Sequence, residues 1–202
     1  MEAILFNLPE VKKMEQLRNS INRFYSLPDK DWDIFTSIWK PDTIAKNEVL
    51  TRVGEVEKHM YFVNKGVLRG FFVHQDSEFT LGFSYDGDFS GIPDSFMNQV
   101  PSMYFLETLS PCEVLKTTYD KLQQAFEESR EIERLSRIMA EKMLYGFSLR
   151  QVELQCMSAE ERFKAFLRRS PHLLQMIPQK YLASYLNMAP ETFSRLIRNV
   201  RI

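Results

Sequence analysis

Apolar residues recur at two different spacings along the 202-residue chain, and the change of spacing divides it into three stretches. From 10 to 26, Val11, Met14, Leu17, Ile21 and Phe24 fall three to four residues apart, which predicts an amphipathic helix. "DKDWDIFTSIW" (29–39) repeats the pattern with Trp32, Phe35, Ile38 and Trp39, and Pro41 ends that run. From about 42 to 118 the texture changes to short apolar runs ("YFVNKGVLRGFFV", "FTLGFSY", "CEVLKTT") separated by Gly, Asn, Asp and Pro. Aromatic and β-branched residues dominate here, and five of the seven glycines (66, 70, 82, 87 and 91) fall between 66 and 91. This predicts many short antiparallel strands closing into a sandwich or barrel.

After Tyr119 the helical spacing returns. Residues 120–156 predict a single long helix, about 50 Å at 1.5 Å per residue. Ile132, Leu135, Met139, Leu149 and Val152 form an imperfect stripe, with Lys142 and Gly146 on or beside it. Such a stripe packs either on its own domain or against a second copy of the chain. A helix this long behind a small β-domain carries more apolar stripe than that domain can cover. A dimer seam through Ile132, Leu135 and Met139 is therefore expected, with Gly146 allowing close approach. Met157-Ser158 marks the next boundary. Ser158 and Glu161 form an S-x-x-E capping box that opens a helix running to about Arg169. Ser170-Pro171 stops it, and Ile177-Pro178 makes a second break.

The last stretch, "LASYLNMAPETFSRLIR" (182–198), contains two amphipathic runs joined at Asn187-Met188-Ala189. Leu182, Ala183 and Leu186 share one face of the first run. Asn187 suits a left-handed turn position, and Pro190 suits the first position of a helix, where no amide hydrogen is needed. Phe193, Leu196 and Ile197 then face inward. Small Ala183 fits two helices crossing steeply through a tight turn, which is helix-turn-helix spacing. Glu191, Ser194, Arg195 and Arg198 face outward on the second helix. Arg195 can donate twice to guanine, Glu191 can accept from a cytosine amino group, and Ser194 lies between them. Lys180, Thr192 and Arg198 suit phosphate contacts. The alternative is a structural helical hairpin with a solvated basic face.

Charge supports the polyanion reading. The net charge is −1, but residues 158–202 hold eight Lys or Arg against three acids, a net of +5, which leaves −6 for the rest. A basic segment on an acidic body suits a nucleic-acid partner. Hydrophobic residues make up 44% and charged residues 26%, as in soluble globular proteins. No apolar run approaches the roughly 18 residues of a membrane span. Glu2, Asn7 and Pro9 interrupt what would otherwise be a signal peptide, so no membrane or export is expected and the chain reads as cytoplasmic. Cys112 and Cys156 read as two reduced, buried thiols. His59, His74 and His172 lie far apart in sequence, with no H-x-H pair for a cupin-type metal enzyme. His59 and His74 read as surface strand or turn residues, and no enzyme is expected.

Motif order now adds a resemblance. "VLTRVGEVEKHMYFVNKGVLRGFF" (49–72) runs from an apolar residue through G-E to Y-F-V-x-x-G-x-L-R, and resembles the core of a cyclic-nucleotide-binding β-roll. A long helix and a terminal helix-turn-helix follow in order. Over roughly residues 25–200 this is similar to the Crp–Fnr superfamily of bacterial transcription regulators. The resemblance implies an α+β chain: an N-terminal antiparallel, jelly-roll-like β-roll with flanking helices (1–118), a long dimerisation helix and linker (119–157), and a helix-turn-helix domain (158–202); with residue 202 coming just after the second helix of that pair, no wing is expected behind it. It implies double-stranded DNA and a second copy of the chain as partners, and it allows for RNA polymerase as a further one.

The cyclic-AMP cassette of that family, G-E-L followed about ten residues later by R-S-A, does not carry over. In "GDFSGIPDSFMNQVPSMYFLETLSPCEV" (87–114), Ile92 stands at the Glu position, Ser102 at the Arg position and Met103 at the Ser position. Loss of the bidentate Arg–phosphate contact is worth a few kcal/mol, about two orders of magnitude in affinity. No cyclic-AMP binding is therefore expected. Two cysteines are too few for an iron–sulfur cluster, and nothing argues for haem. The effector pocket is expected to be degenerate, either empty or holding an unknown small effector. Pro190 matches the first base-reading Arg of the catabolite activator, so a different operator is expected. The resulting expectation is a homodimeric, sequence-specific DNA-binding regulator. The competing one is a ligand-binding or protein-interaction module whose helix-turn-helix packs on a protein partner.

Overall fold

A computed structural model describes residues 8–198. Glu2 and Asn7, Arg201 in the charge count, and the expected absence of a wing after residue 198 fall outside the described residues. In chain order the elements are helices α1 (Leu8–Ile21) and α2 (Asp29–Ser37), then strands β1 (Lys40–Ile44), β2 (Val49–Thr51), β3 (His59–Lys65), β4 (Val67–His74), β5 (Ser77–Tyr85) and β6 (Phe89–Ser90). Helix α3 (Pro93–Asn98), strands β7 (Phe105–Thr108) and β8 (Cys112–Thr118), and helices α4 (Tyr119–Glu128) and α5 (Arg130–Cys156) follow. The chain ends in α6 (Ala159–Arg169), α7 (Leu173–Met176), α8 (Gln179–Tyr185) and α9 (Pro190–Arg198). The described residues form two compact units, 8–69 with 83–141, and 70–82 with 142–198.

The strands make two four-stranded sheets, ordered β1-β8-β3-β6 and β2-β7-β4-β5, the jelly-roll arrangement expected. Alternation along each strand gives the first sheet two apolar faces. Tyr61, Val63, Cys112 and Val114 face the second sheet's Leu68 and Leu106. Phe62 and Leu115 point the other way, into a core built by Leu17, Ile21, Phe35 and Trp39 of the leading helices and Leu122 of α4. The β3–β4 turn requires glycine. Gly66 has φ +111, and a Cβ there would come within 2.6 Å of both the Pro111 carbonyl and the Cys112 sulfur.

Three expectations change here. First, the single helix over 120–156 is two helices, because Ser129 is extended (φ −148, ψ 115). The buried Ser129 hydroxyl donates to Asp31 Oδ1 at 2.6 Å and accepts from the Ile132 amide at 3.3 Å. Ser129 thus caps α5 and ties its start to α2, a contact 98 residues away in sequence. Second, Ile132 and Leu135 are fully buried and Met139 packs beside them, all in the core of their own unit. The half of α5 that follows is different. Leu144 is 67% exposed and Phe147 57%, Met143, Leu149 and Val152 are also exposed, and a Cβ on Gly146 would meet open space. Third, Cys112 is buried but Cys156, at the end of α5, is exposed. Among the described residues no helix is long and apolar enough to cross a membrane.

Candidate functional site

The paired helices form as their sequence dictates. The Ser158–Glu161 capping box closes in both directions and opens α6, which ends at Ser170. Asn187 adopts φ +49 between α8 and α9, and Pro190 is the first residue of α9. Leu182, Ala183, Leu186 and Phe193 are fully buried, and Leu196 nearly so. Phe193 meets Phe163 of α6 edge-to-face at 5.5 Å, which fixes α9 on the supporting helix.

Arg162 of α6 holds the turn. Its guanidinium donates to the carbonyls of Leu186 at 2.8 Å, Asn187 at 2.9 Å and Met157 at 2.5 Å. The orphan carbonyls at the end of α8 are thus capped by a cation, where the helix dipole favours one. Glu153, near the end of α5, accepts two bonds from Arg169 (2.5 and 3.2 Å) and lies 3.4 Å from Arg150. Those contacts, the hydrogen bond from Arg169 first, hold its carboxyl below the usual range. The β4–β5 hairpin belongs to the same unit. Ser184 of α8 donates to the Glu78 carbonyl at 3.0 Å and accepts from the Thr80 amide at 2.9 Å.

With the turn so held, α9 presents Glu191, Arg195 and Arg198 to solvent, with Thr192 and Ser194 half-buried between them. Lys180 is exposed at the start of α8, its ammonium over the Tyr181 ring at 4.5 Å. Arg198 reaches back to the Ser194 carbonyl at 3.3 Å. The expected base-reading and phosphate-contacting residues therefore share one short exposed helix and the helix before it.

The three cassette positions in the β-roll do not converge. Ile92 is buried at the head of α3, Ser102 is buried in a turn, and Met103 is 60% exposed. The Ser102 hydroxyl is spent locally, donating to the Tyr104 carbonyl at 2.8 Å and accepting from its amide at 2.9 Å. The organising residue is Glu57, only 1% exposed. Its carboxylate accepts from the amides of Ile92 (3.2 Å) and His59 (3.3 Å), while its own amide donates to Ser95 Oγ at 2.9 Å. Burial pushes the Glu57 carboxyl up, although the Thr51 hydroxyl and these amides favour its ionised form. A carboxylate of the chain itself thus occupies the amide at the head of α3. The buried guanidinium of this domain, Arg69 on β4, is paired with Glu107 of β7 at 2.8 Å. Sequence reading missed both Glu57 and Arg69. Nothing in their neighbours' spacing marks either as interior, because burial arises from strands and loops distant in sequence.

The histidines also differ from expectation in part. His74 is exposed at the end of β4, but His59 is half-buried at the start of β3. Among the described residues no group of three or more His, Cys, Asp or Glu is placed to hold a metal ion.

No curated protein matches this chain in sequence. Solved structures do match in shape. FixK2 from Bradyrhizobium japonicum superposes with a TM-score of 0.69 at 18% identity, covering 80% of this chain and 83% of that one. The c-di-GMP responsive global regulator CLP of Xanthomonas campestris gives 0.64 at 19% identity, over 85% of this chain and 90% of its own. The catabolite activator protein of Thermus thermophilus gives 0.57 at 19% identity, over 89% and 85%. Residues 41–129 match the family described as the cyclic nucleotide-binding domain. Residues 41–129 are thus similar to a cyclic nucleotide-binding domain, and the chain shares the fold of FixK2, CLP and the catabolite activator protein.

Proposed function

We propose that the chain is a homodimeric, sequence-specific DNA-binding transcription regulator of the Crp–Fnr type, acting in the cytoplasm, whose β-roll has lost the contacts for cyclic AMP. The observation that carries this reading is α9, which holds Glu191, Arg195 and Arg198 outward from a turn fixed by Asn187 and Arg162. Arg195 reads guanine, Glu191 a cytosine amino group, and Ser194 the base between them. Lys180, Thr192 and Arg198 hold phosphates. The second copy packs on the exposed half of α5, through Met143, Leu144, Phe147 and Val152, across Gly146. Two recognition helices about 34–36 Å apart then address a pseudo-palindrome. RNA polymerase is a further partner of such a regulator. The degenerate cassette rests on Ile92 and Ser102 being buried and internally bonded, with no Arg among the three positions.

Random-site selection followed by gel shift tests this reading. Wild-type protein is expected to enrich one sequence, and Arg195→Ala or Glu191→Ala to relax the preference at one position at a cost of about 1–3 kcal/mol. Equal binding by all three proteins at several salt concentrations overturns the base-reading assignment, since phosphate contacts alone survive such changes. Calorimetry with cyclic AMP is expected to show no micromolar binding.

A further inference from the structure

The inner face of the first sheet is apolar at one end and charged at the other. Val63, Val114 and Cys112 are buried in the inter-sheet core. Further along the same faces, by strand alternation and register, come His59 and Tyr61 of β3, Lys116 of β8 and Asp42 of β1. Tyr61 pairs directly across from Lys116. These four residues line an open cleft of about 490 Å³ at the β1–β2 edge of the roll, within the size range of small-molecule sites. Ile44 lies beside Asp42 on the same face of β1, and Val49 and Leu50 of β2 complete the lining.

The charges in the cleft balance. Lys58 and Lys116 face Asp42 and Glu48, and His59 adds no third cation, because burial and then Lys116 push its imidazole pKa down. The central feature is the Lys116–Asp42 pair, 2.5 Å long, with both side chains about one-third exposed. A pair this exposed contributes little by itself and opens at little cost. A ligand with one charge would strand the partner it displaces. A zwitterion instead exchanges one ion pair for two.

We propose that this cleft is an effector site for an apolar α-amino acid, with its carboxylate on Lys116, its ammonium on Asp42 and its side chain against Ile44, Val49 and Leu50. The site is separate from the cassette around Ile92 and Ser102. It deepens the regulator reading by naming an effector class and rests on that reading for its consequence. Ligand binding itself is measured without DNA, so the two fail separately.

The test uses the full chain with labelled methyl groups, titrated with L-leucine and observed at Ile44, Val49 and Leu50. Leucine is expected to shift these resonances saturably with a Kd of about 1 mM or below. 4-Methylpentanoate, which lacks the ammonium, and 3-methylbutylamine, which lacks the carboxylate, are each expected to bind at least about tenfold more weakly. Asp42→Asn and Lys116→Met, with circular dichroism matching wild type, are each expected to weaken leucine by a similar factor of about ten. The comparison of the three ligands on wild-type protein needs no variant. Absence of saturation with leucine at 20-fold the expected constant, about 20 mM, overturns the site. Equal binding of 4-methylpentanoate or of 3-methylbutylamine overturns the zwitterion class, and shifts mapping elsewhere overturn the location.

Discussion

Arg162 holds the turn before α9 through backbone carbonyls, so its removal separates positioning of that helix from the proposed base reading. Arg162→Met keeps most of the side chain's apolar stem and deletes three hydrogen bonds, to Met157, Leu186 and Asn187. Hydrogen bonds to charged groups are worth about 1.5–3 kcal/mol each when buried. Arg162 is half-exposed, so water replaces part of each, and about 1 kcal/mol per bond is the working value. The expected loss is therefore about 2–3 kcal/mol. A midpoint falls by about 2–4 °C per kcal/mol in a protein of this size, which makes a drop of roughly 5–10 °C. Thermal unfolding by circular dichroism measures it. Arg162→Lys keeps the charge but not the fork, so it reaches one carbonyl and recovers only part of the loss. In a DNA-binding assay Arg162→Met is expected to weaken all sequences in parallel, unlike Arg195→Ala. Unfolding of Arg162→Met within about 0.5 kcal/mol of wild type, or full recovery by Arg162→Lys, would refute the clamp.

Two further outcomes follow from burial. Ile132→Ala, in the core of its own unit, is expected to cost about 2–5 kcal/mol of stability without changing the association state. Leu144→Glu is expected to do the reverse, turning dimer into monomer in sedimentation while leaving the unfolding midpoint of the β-roll unchanged, since Leu144 is exposed. Glu57 gives a pH signature. Its folded carboxyl titrates above its unfolded value of 4.5, so the folded state holds the proton more tightly. Its contribution to stability is therefore greatest below the unfolded value and falls as pH rises through the folded one. Glu57→Gln is expected to flatten that fall in denaturant unfolding measured from pH 4 upward. An unchanged slope would mean that the carboxyl is not buried as described.

The sequence alone determined most of the helix pair, because its signals are local. Asn187 turns, Pro190 starts a helix, Ser158 with Glu161 starts another, and apolar spacing of three to four residues decides which side faces in. It also determined a sandwich or barrel of antiparallel strands as the class of fold of the middle stretch, through short apolar runs punctuated by glycine and proline, while the β-roll itself was implied by the resemblance. Tertiary structure decided what depends on distant partners. Whether residues 120–156 form one helix or two hangs on a hydroxyl of Ser129 meeting Asp31. Which half of α5 is buried hangs on where the leading helices end their coverage, and the periodic stripe runs through both halves alike. Glu57 is charged and flanked by Val56 and Lys58, so by composition it belongs to a surface loop. It is buried because the amides of His59 and Ile92, one of them 35 residues away, converge on it. Those donors offset part of the carboxyl's loss of water, and only the folded chain brings them together.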